Sequence, residues 1–455
     1  MSEADSYEAD QWPLRPLILL ALGALFGFLV YRLTGPVGDL TRAPSELAAA
    51  SFLTVGGVAL AFSLERLRWG WSVAFALLTG AVVALVVWWN GPEGSWAATE
   101  GWRFFAALLA VAGAVPLFQA ARDEGNLRFD TRGVHRNAWT NLILWFAAWA
   151  FVAAVILLLL LLAQLFGLLG LTFLRRLLWE GGFIFSVAGG AFGAGVGLLR
   201  DRDSVLAVLQ RVVRAILAVL APVLAFGLVV FVLAIPFTGL APLWSQTKAA
   251  TPILLLCIAG AVLLVNAVAG NEEEDEAKAA VLRWSAVALV AVMTPLAAIA
   301  AVSLYKRIDQ HGFTPDRLWA AVFVAAAFAF ALAYAGALFQ GRLRWPPRVR
   351  RANVHLVLEL SLLALFLALP IVNFGSISAR DQLARVTSGA VPADKFDWAA
   401  MRFDFGKAGV EALMQLAEKG PPALRQHAIR ALAAKTRWAL EPQVELAPPP
   451  PRPAP

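Results

Sequence analysis

The chain has 455 residues, of which 60% are hydrophobic and only 15% are charged. Soluble globular proteins are about half apolar and a quarter charged, so this composition excludes a soluble globular protein. It also excludes a disordered chain, a collagen and a disulfide-rich scaffold as descriptions of the whole. The composition is typical of a protein that crosses a membrane several times.

The formal net charge is +7. In a membrane protein such an excess indicates basic cytoplasmic loops beside an anionic leaflet, so the lipid bilayer is the expected partner and nucleic acid is not. The single cysteine, Cys257, allows no disulfide within the chain. The acidic first ten residues lack the basic region and cleavage site of a signal peptide, so we expect the first apolar run to remain as an anchor.

Eleven stretches approach the length of about 20 apolar residues that a membrane-spanning helix needs. The predicted spans are 15–33, 45–64, 70–89, 102–121, 138–167, 181–199, 210–235, 250–269, 281–304, 318–340 and 353–372. Continuous apolar runs satisfy their backbone groups in lipid as helices, whereas barrel strands would alternate in polarity. The predicted fold class is therefore an all-α, polytopic transmembrane bundle of about 11 spans.

Lysine and arginine in the connecting loops predict the orientation, because cytoplasmic loops are enriched in both. Successive loops lie on opposite sides of the membrane, so the loops and helix ends form two sets. One set holds 18 lysines and arginines and the other holds 9. The richer set is predicted to be cytoplasmic, together with the N-terminal tail, 1–14. An odd number of spans then places the chain after residue 372 on the extracytoplasmic side.

The chain changes character after the predicted membrane domain, 15–372. Residues 373–440 are polar, with amphipathic helices predicted over 378–386, 398–417 and 423–438. Some sixty residues make only a marginal core of their own, so we expect this segment to pack on the membrane domain or on the bilayer surface. The proline-rich end, 441–455, is predicted to be disordered.

No motif predicts a catalytic residue, a metal site or a cofactor, and enzymatic activity is not indicated. The histidines are scattered and show no metal-binding spacing, and no phosphate-binding loop or nucleophile elbow occurs. The most regular glycines recur every fourth residue on one face of a predicted helix, which favours close helix packing over nucleotide binding. They are Gly189, Gly193 and Gly197.

Polar residues within spans are functional candidates, because burying them in lipid is costly. The candidates are Gln164, Asn266, His355 and Glu359. The two amides favour hydrogen bonds between helices. His355 and Glu359 share a helix face, and the alternatives are an ion-coupling pair or a glutamate paired with arginine at the interface. The acidic run 272–276 is most simply a solvated turn.

A polar loop and the start of the C-terminal segment are predicted to share the extracytoplasmic side. Thr314 and Pro315 indicate a helix start, with threonine as the cap. The side chains of this candidate external polar face suit an anionic or polar ligand. They are Tyr305, Arg307, His311, Thr314, Arg317, Ser378, Arg380 and Gln382. The alternative is that the loop merely docks the segment.

These regions resemble domain-of-unknown-function family 4153 of bacterial multi-pass membrane proteins. The resemblance rests on the Tyr305-Lys-Arg-Ile and His311-Gly-Phe-Thr-Pro-Asp-Arg317 stretches, on 373–389, and on Phe396-Asp397 with Arg402-Phe403. His311 stands where the family usually has tyrosine, which argues against a role needing a phenol there. The resemblance covers about 50–415 and implies an inner-membrane protein, but it transfers no catalytic residue.

Three functions stay open. The preferred one is a transporter or permease-like component for a small or amphiphilic solute, which needs a cavity lined by the intramembrane polar candidates. The second is an envelope enzyme acting on a lipid-linked substrate, with Asp309, Asp316 or Asp381 facing an external groove. The third is a scaffold or sensor that binds an envelope protein through its C-terminal segment.

Overall fold

A computed structural model describes residues 12–35, 42–90, 98–126, 129–246 and 249–440. Three predictions lie wholly or partly outside these residues. They concern most of the N-terminal tail, two of the loop residues counted for the orientation, Arg128 and Lys248, and the proline-rich end. The described residues form helices joined by short connections and contain no strand.

Eleven of the described helices are long and apolar enough to cross a membrane. They are α1 (Arg15–Thr34), α2 (Pro44–Ser63), α3 (Trp69–Asn90), α4 (Ala98–Glu124), α5 (Thr131–Leu168), α7 (Gly181–Arg200), α8 (Asp203–Thr238), α10 (Ala250–Ala269), α11 (Ala280–His311), α12 (Pro315–Gly341) and α13 (Pro346–Ala368). The short helices are α6 (Phe173–Leu178), α9 (Ala241–Gln246), α14 (Phe374–Thr387), α15 (Trp398–Phe403), α16 (Gly406–Lys419) and α17 (Pro422–Ala433). The prediction of an all-α polytopic bundle is confirmed.

Helices α5, α8 and α11 are eight to ten residues longer than their predicted spans, because hydropathy marks only the part that suits lipid. Helix α5 has 38 residues, which is about 57 Å at 1.5 Å per residue and far more than the bilayer core. It starts where the Asp130 carboxylate accepts a hydrogen bond of 2.9 Å from the Gly133 N–H. Helix α11 continues to His311 and ends at Gly312, whose φ of +74° suits a residue without Cβ.

The residues fall into two compact units by their contacts. Among the described residues, the first unit holds those within 1–96, 100–306 and 319–372, and the second holds those within 97–99, 307–318 and 373–455. In the first unit, α1 packs most closely on α7, α2 on α3, and α8 on α10. Leu144, Ala148 and Val196 are completely buried in an apolar core where α5 meets α7.

The second unit has an apolar core of its own, which was not expected of so short a segment. Helices α14 to α17 all contribute to it, and Met401, Leu413 and Ala428 are at most 1% exposed. The indole of Trp398 donates to the Ala393 carbonyl at 2.8 Å. The same indole stacks on the His427 ring, with 5.3 Å between centroids.

Candidate functional site

An apolar groove in the first unit is the strongest candidate site. It lies between α1, α2, α5 and α7 and has a volume of about 440 Å³. Its floor is the tight contact of α1 with α7, where Gly23 faces Gly189 and Gly193 faces the Leu19 backbone. Because these glycines add no side chains to the floor, the groove stays open above it. Gly197 continues the same face, against Pro16.

Aromatic side chains form one wall of the groove. The rings of Trp145 and Trp149 each lie 5.6 Å from the Phe192 ring, centroid to centroid. No charged residue is among those that line the groove in the described part of the chain. The Thr54 hydroxyl is bonded to the Ala50 carbonyl at 2.8 Å. The groove is therefore chemically suited to hydrocarbon.

A cluster of charged side chains lies where α1 begins and where α2 and α7 end. Glu65 pairs with Arg15 and, at 2.6 Å, with Arg200. Arg15 also pairs with Asp201 at 3.1 Å. Arg200 donates to the Phe62 carbonyl, and Arg122 donates to the Ser63 carbonyl.

These arginines were predicted only as markers of the cytoplasmic side. Their side chains do more, because the last carbonyls of a helix lack partners within it and carry partial negative charge. The guanidinium groups of Arg200 and Arg122 donate hydrogen bonds to such carbonyls at the end of α2. In the sequence, the signal for this cluster was a charged residue within two positions of the end of an apolar run. Three runs show it, at Arg15, Glu65 and Arg200.

The acidic run 272–276 is a turn with residues 272–275 exposed, as the sequence indicated, but two of its carboxylates are also paired with arginines. Asp275 pairs with Arg214 at 2.6 Å, and Glu276 pairs with Arg350 at 3.0 Å. Arg350 also donates to the Ala269 carbonyl at 2.7 Å, at the end of α10. The loop is held because arginines from α8 and α13 reach it.

Of the four intramembrane polar candidates, only Asn266 takes part in a network. Its amide donates to the Tyr334 hydroxyl at 2.7 Å, and that hydroxyl donates to Asn353 at 2.6 Å. The Asn353 amide donates back to Asn266 at 2.6 Å. This closed ring joins α10, α12 and α13, and the sequence interpretation missed Tyr334 and Asn353.

The other three candidates lie on the outer surface of their helices. Gln164 is exposed and bonds to no described residue, so it does not join two helices. His355 and Glu359 are exposed as well, and no ion pair links them in the described structure. They therefore line no cavity with Asn266.

In the second unit, α14 binds the segment 307–318, which comprises the end of α11, the connection 312–314 and the start of α12. The Asp381 carboxylate accepts from the Phe313 N–H at 2.8 Å. Gln382 donates to the His311 carbonyl at 2.8 Å, and Arg385 donates to the Asp309 carbonyl at 2.9 Å. The contacts are side chain to backbone, which favours the docking alternative.

The members of the candidate external polar face therefore have different structural roles. Arg317 donates to the Gly312 carbonyl at 2.7 Å, and the Thr314 hydroxyl accepts from the Arg317 N–H at 3.4 Å. Ser378 is completely buried. The rest are not buried: Arg307 is half-buried, whereas His311 and Arg380 are exposed. Tyr305 is 69% exposed and belongs to the first unit.

Asp404 is a partly buried carboxyl of the second unit. Arg437 pairs with both of its oxygens at 2.6 Å. Burial nevertheless raises the pKa of Asp404 above its ordinary value, since the desolvation outweighs the attraction of the guanidinium. The group lies beside the core of α14 to α17 and suits a structural role.

The fold and these sites define an integral, multi-pass membrane protein built from helices. The chain belongs to the family described as Domain of unknown function (DUF4153), which matches residues 49–416. No curated protein matches the chain. No solved structure matches it either.

Proposed function

We propose that the protein is a permease-like component of the bacterial inner membrane that handles an amphiphilic solute. The apolar chain of the solute would occupy the groove between α1, α2, α5 and α7. The observation that carries this proposal is the groove itself, with its volume of about 440 Å³ and uncharged lining. Sites for small molecules have volumes of this order and are mostly apolar.

The polar residues favour an amphiphile over a water-soluble solute. A path for a polar solute needs free hydrogen-bonding groups inside the bundle. The side-chain amide of Asn266 is already hydrogen-bonded within a closed ring, and Gln164 and Glu359 lie on the outer surface of their helices. The enzymatic alternative gains no support, since Asp381 already binds the loop backbone.

The charged cluster at the ends of α1, α2 and α7 supports an orientation for the proposal. With a cytoplasmic N-terminus, this cluster lies at the cytoplasmic interface, where arginine is enriched. The groove starts about one turn away from Arg15, at Leu19. The solute would thus lie with its chain in the leaflet and its head group towards the cytoplasmic loops.

The proposal is tested by photo-crosslinking on the full chain in phosphatidylcholine nanodiscs. The probe is a phospholipid with a diazirine in its acyl chain, added in trace amounts. We expect labelled peptides mainly from the groove-lining parts of α1, α2, α5 and α7. Ala188→Trp or Leu22→Trp should fill the groove and reduce this labelling several-fold, whereas Ala153→Trp on the exposed face of α5 should not.

Equal labelling of all lipid-facing helices, unchanged by Ala188→Trp and Leu22→Trp, would contradict the proposal. The thermal stability of each variant shows whether the helices still pack. Two groove variants are used because a large side chain at one position can disturb the α1–α7 contact.

A further inference from the structure

The last described part of the second unit carries positive charge without negative charge. Residues 419–440, which contain α17, hold five lysines and arginines and no aspartate or glutamate. Arg430 and Lys435 are exposed and form no ion pair within the described residues. A basic surface of this kind attracts anionic partners, among them nucleic acids, acidic proteins and membranes.

Apolar side chains on the same surface favour a membrane over the other partners. Helix α17 packs one face into the core of the second unit. At about 100° per residue, the opposite face places Ile429 between Arg425 and Arg430. Ile429 is 53% exposed, and Trp438, shortly after the helix, is 81% exposed. Basic residues together with exposed isoleucine and tryptophan are typical of segments that lie at a membrane interface.

The neighbouring helix α16 has an outer face of the opposite kind. Its Met414 is 56% exposed, much like Ile429 in α17. The nearest charged residues on that face are Glu411, three positions before Met414, and Glu418, four positions after it. Both glutamates are exposed. A layer of anionic head groups would therefore attract the outer face of α17 and not that of α16.

The chain itself keeps the second unit close to the bilayer. Helix α14 begins at Phe374, after a connection of only five residues, 369–373, from the end of the long apolar helix α13. Each residue spans at most about 3.6 Å, so this connection is short. The segment 307–318 continues directly into α11 and α12. Such tethering raises the local concentration of head groups, so that weak contacts are enough for binding.

We propose that the outer face of α17 and Trp438 bind anionic phospholipid head groups of the bilayer in which the protein is embedded. Arg425, Arg430 and Lys435 contact the phosphates, whereas Ile429 and Trp438 reach between the head groups. The contact is at head-group level, so the helix stays hydrated. This inference goes beyond the proposed function, because none of these residues lines the groove.

The test uses the full chain in nanodiscs of phosphatidylcholine alone or of an equal mixture with phosphatidylglycerol. In a Cys257→Ala background, a fluorophore that brightens in apolar surroundings is attached to Ile429→Cys. We expect its fluorescence at least to double in the mixed nanodiscs. High salt should remove the increase, because salt screens the attraction between exposed charges. The matched control is Met414→Cys with the same label, which should show no increase.

A charge-reversed variant tests which side chains are responsible. Arg430→Glu combined with Lys435→Glu replaces two exposed side chains without ion pairs among the described residues, so the second unit is expected to fold. Labelled Ile429→Cys should then lose the response to phosphatidylglycerol. The melting temperature of the variant shows whether the unit is intact, and the salt dependence tests the same attraction without this charge reversal.

Three results would overturn the proposal. The first is equal fluorescence of labelled Ile429→Cys in both nanodiscs, which would leave an acidic protein as the partner that suits this surface. The second is an increase that persists in the charge-reversed variant or in high salt. The third is an equal increase at labelled Met414→Cys, which would show a response of the whole second unit and not of α17.

Discussion

At the scale of single residues, arginines and acids define the end of the bundle that is predicted to be cytoplasmic. From the sequence, these arginines were interpreted as topology signals, because the number of basic residues in the loops is sufficient to predict an orientation. Their partners were not predictable, because Arg15 and Arg200 meet Glu65 across 50 and 135 residues of chain. Such contacts depend on how the helices pack, which hydropathy does not report.

Glu65→Gln tests the charged cluster. The side chain of Glu65 is 29% exposed and holds two arginines, of which Arg15 keeps Asp201 as a second partner. We expect the free energy of unfolding to fall by about 1–3 kcal/mol, as for hydrogen bonds to charged groups. Thermal unfolding in detergent measures it. Glu124→Gln, at an exposed position nearby, is the control, and an equal effect of both would show that the pairs add nothing.

At the scale of helices, close packing depends on the positions of glycines, which have no side chain to separate two backbones. The spacing of Gly189, Gly193 and Gly197 predicted a packing face, and the structure places that face against α1. The sequence could not identify α1 as the partner, since several spans contain small residues. Nor could it predict the groove, which exists because α2 and α5 flank this contact without filling it.

Gly193→Ala tests the contact of α1 with α7. A methyl group at this position would collide with the Leu19 carbonyl. Overpacking of this kind costs about 1–3 kcal/mol. The matched control is Gly227→Ala in α8, where a methyl group meets nothing within 4 Å and the helix should gain about 0.5–1 kcal/mol. Both melting temperatures are measured in the same detergent, and a loss in Gly227→Ala equal to that in Gly193→Ala would refute the packing argument.

At the scale of the whole molecule, the fold was predictable because lipid imposes one requirement on every span. Helix α3 illustrates this, with exposed tryptophans at both ends, Trp69 and Trp71 at one and Trp88 and Trp89 at the other. They are separated by about 30 Å of helix, which is the thickness of a bilayer core. The core shared by α14 to α17 was not predictable, because its apolar residues come from four short helices.

The predicted orientation has a direct test. In a Cys257→Ala background, cysteines are introduced at Lys278 in the acidic loop region and at Gln426 in α17, both exposed. A maleimide that does not cross membranes should label Gln426→Cys in intact spheroplasts, and should label Lys278→Cys only after the membrane is opened. Labelling of both positions in intact spheroplasts would mean that the number of crossings or the orientation differs.

The ring of Asn266, Tyr334 and Asn353 has a consequence for conduction. Tyr334 is completely buried, and each member gives one hydrogen bond to the next and receives one from the last. A path for water between α10, α12 and α13 at this point would require these mutual hydrogen bonds to break. The seam between α10, α12 and α13 is therefore closed by the same hydrogen bonds that hold the three helices together.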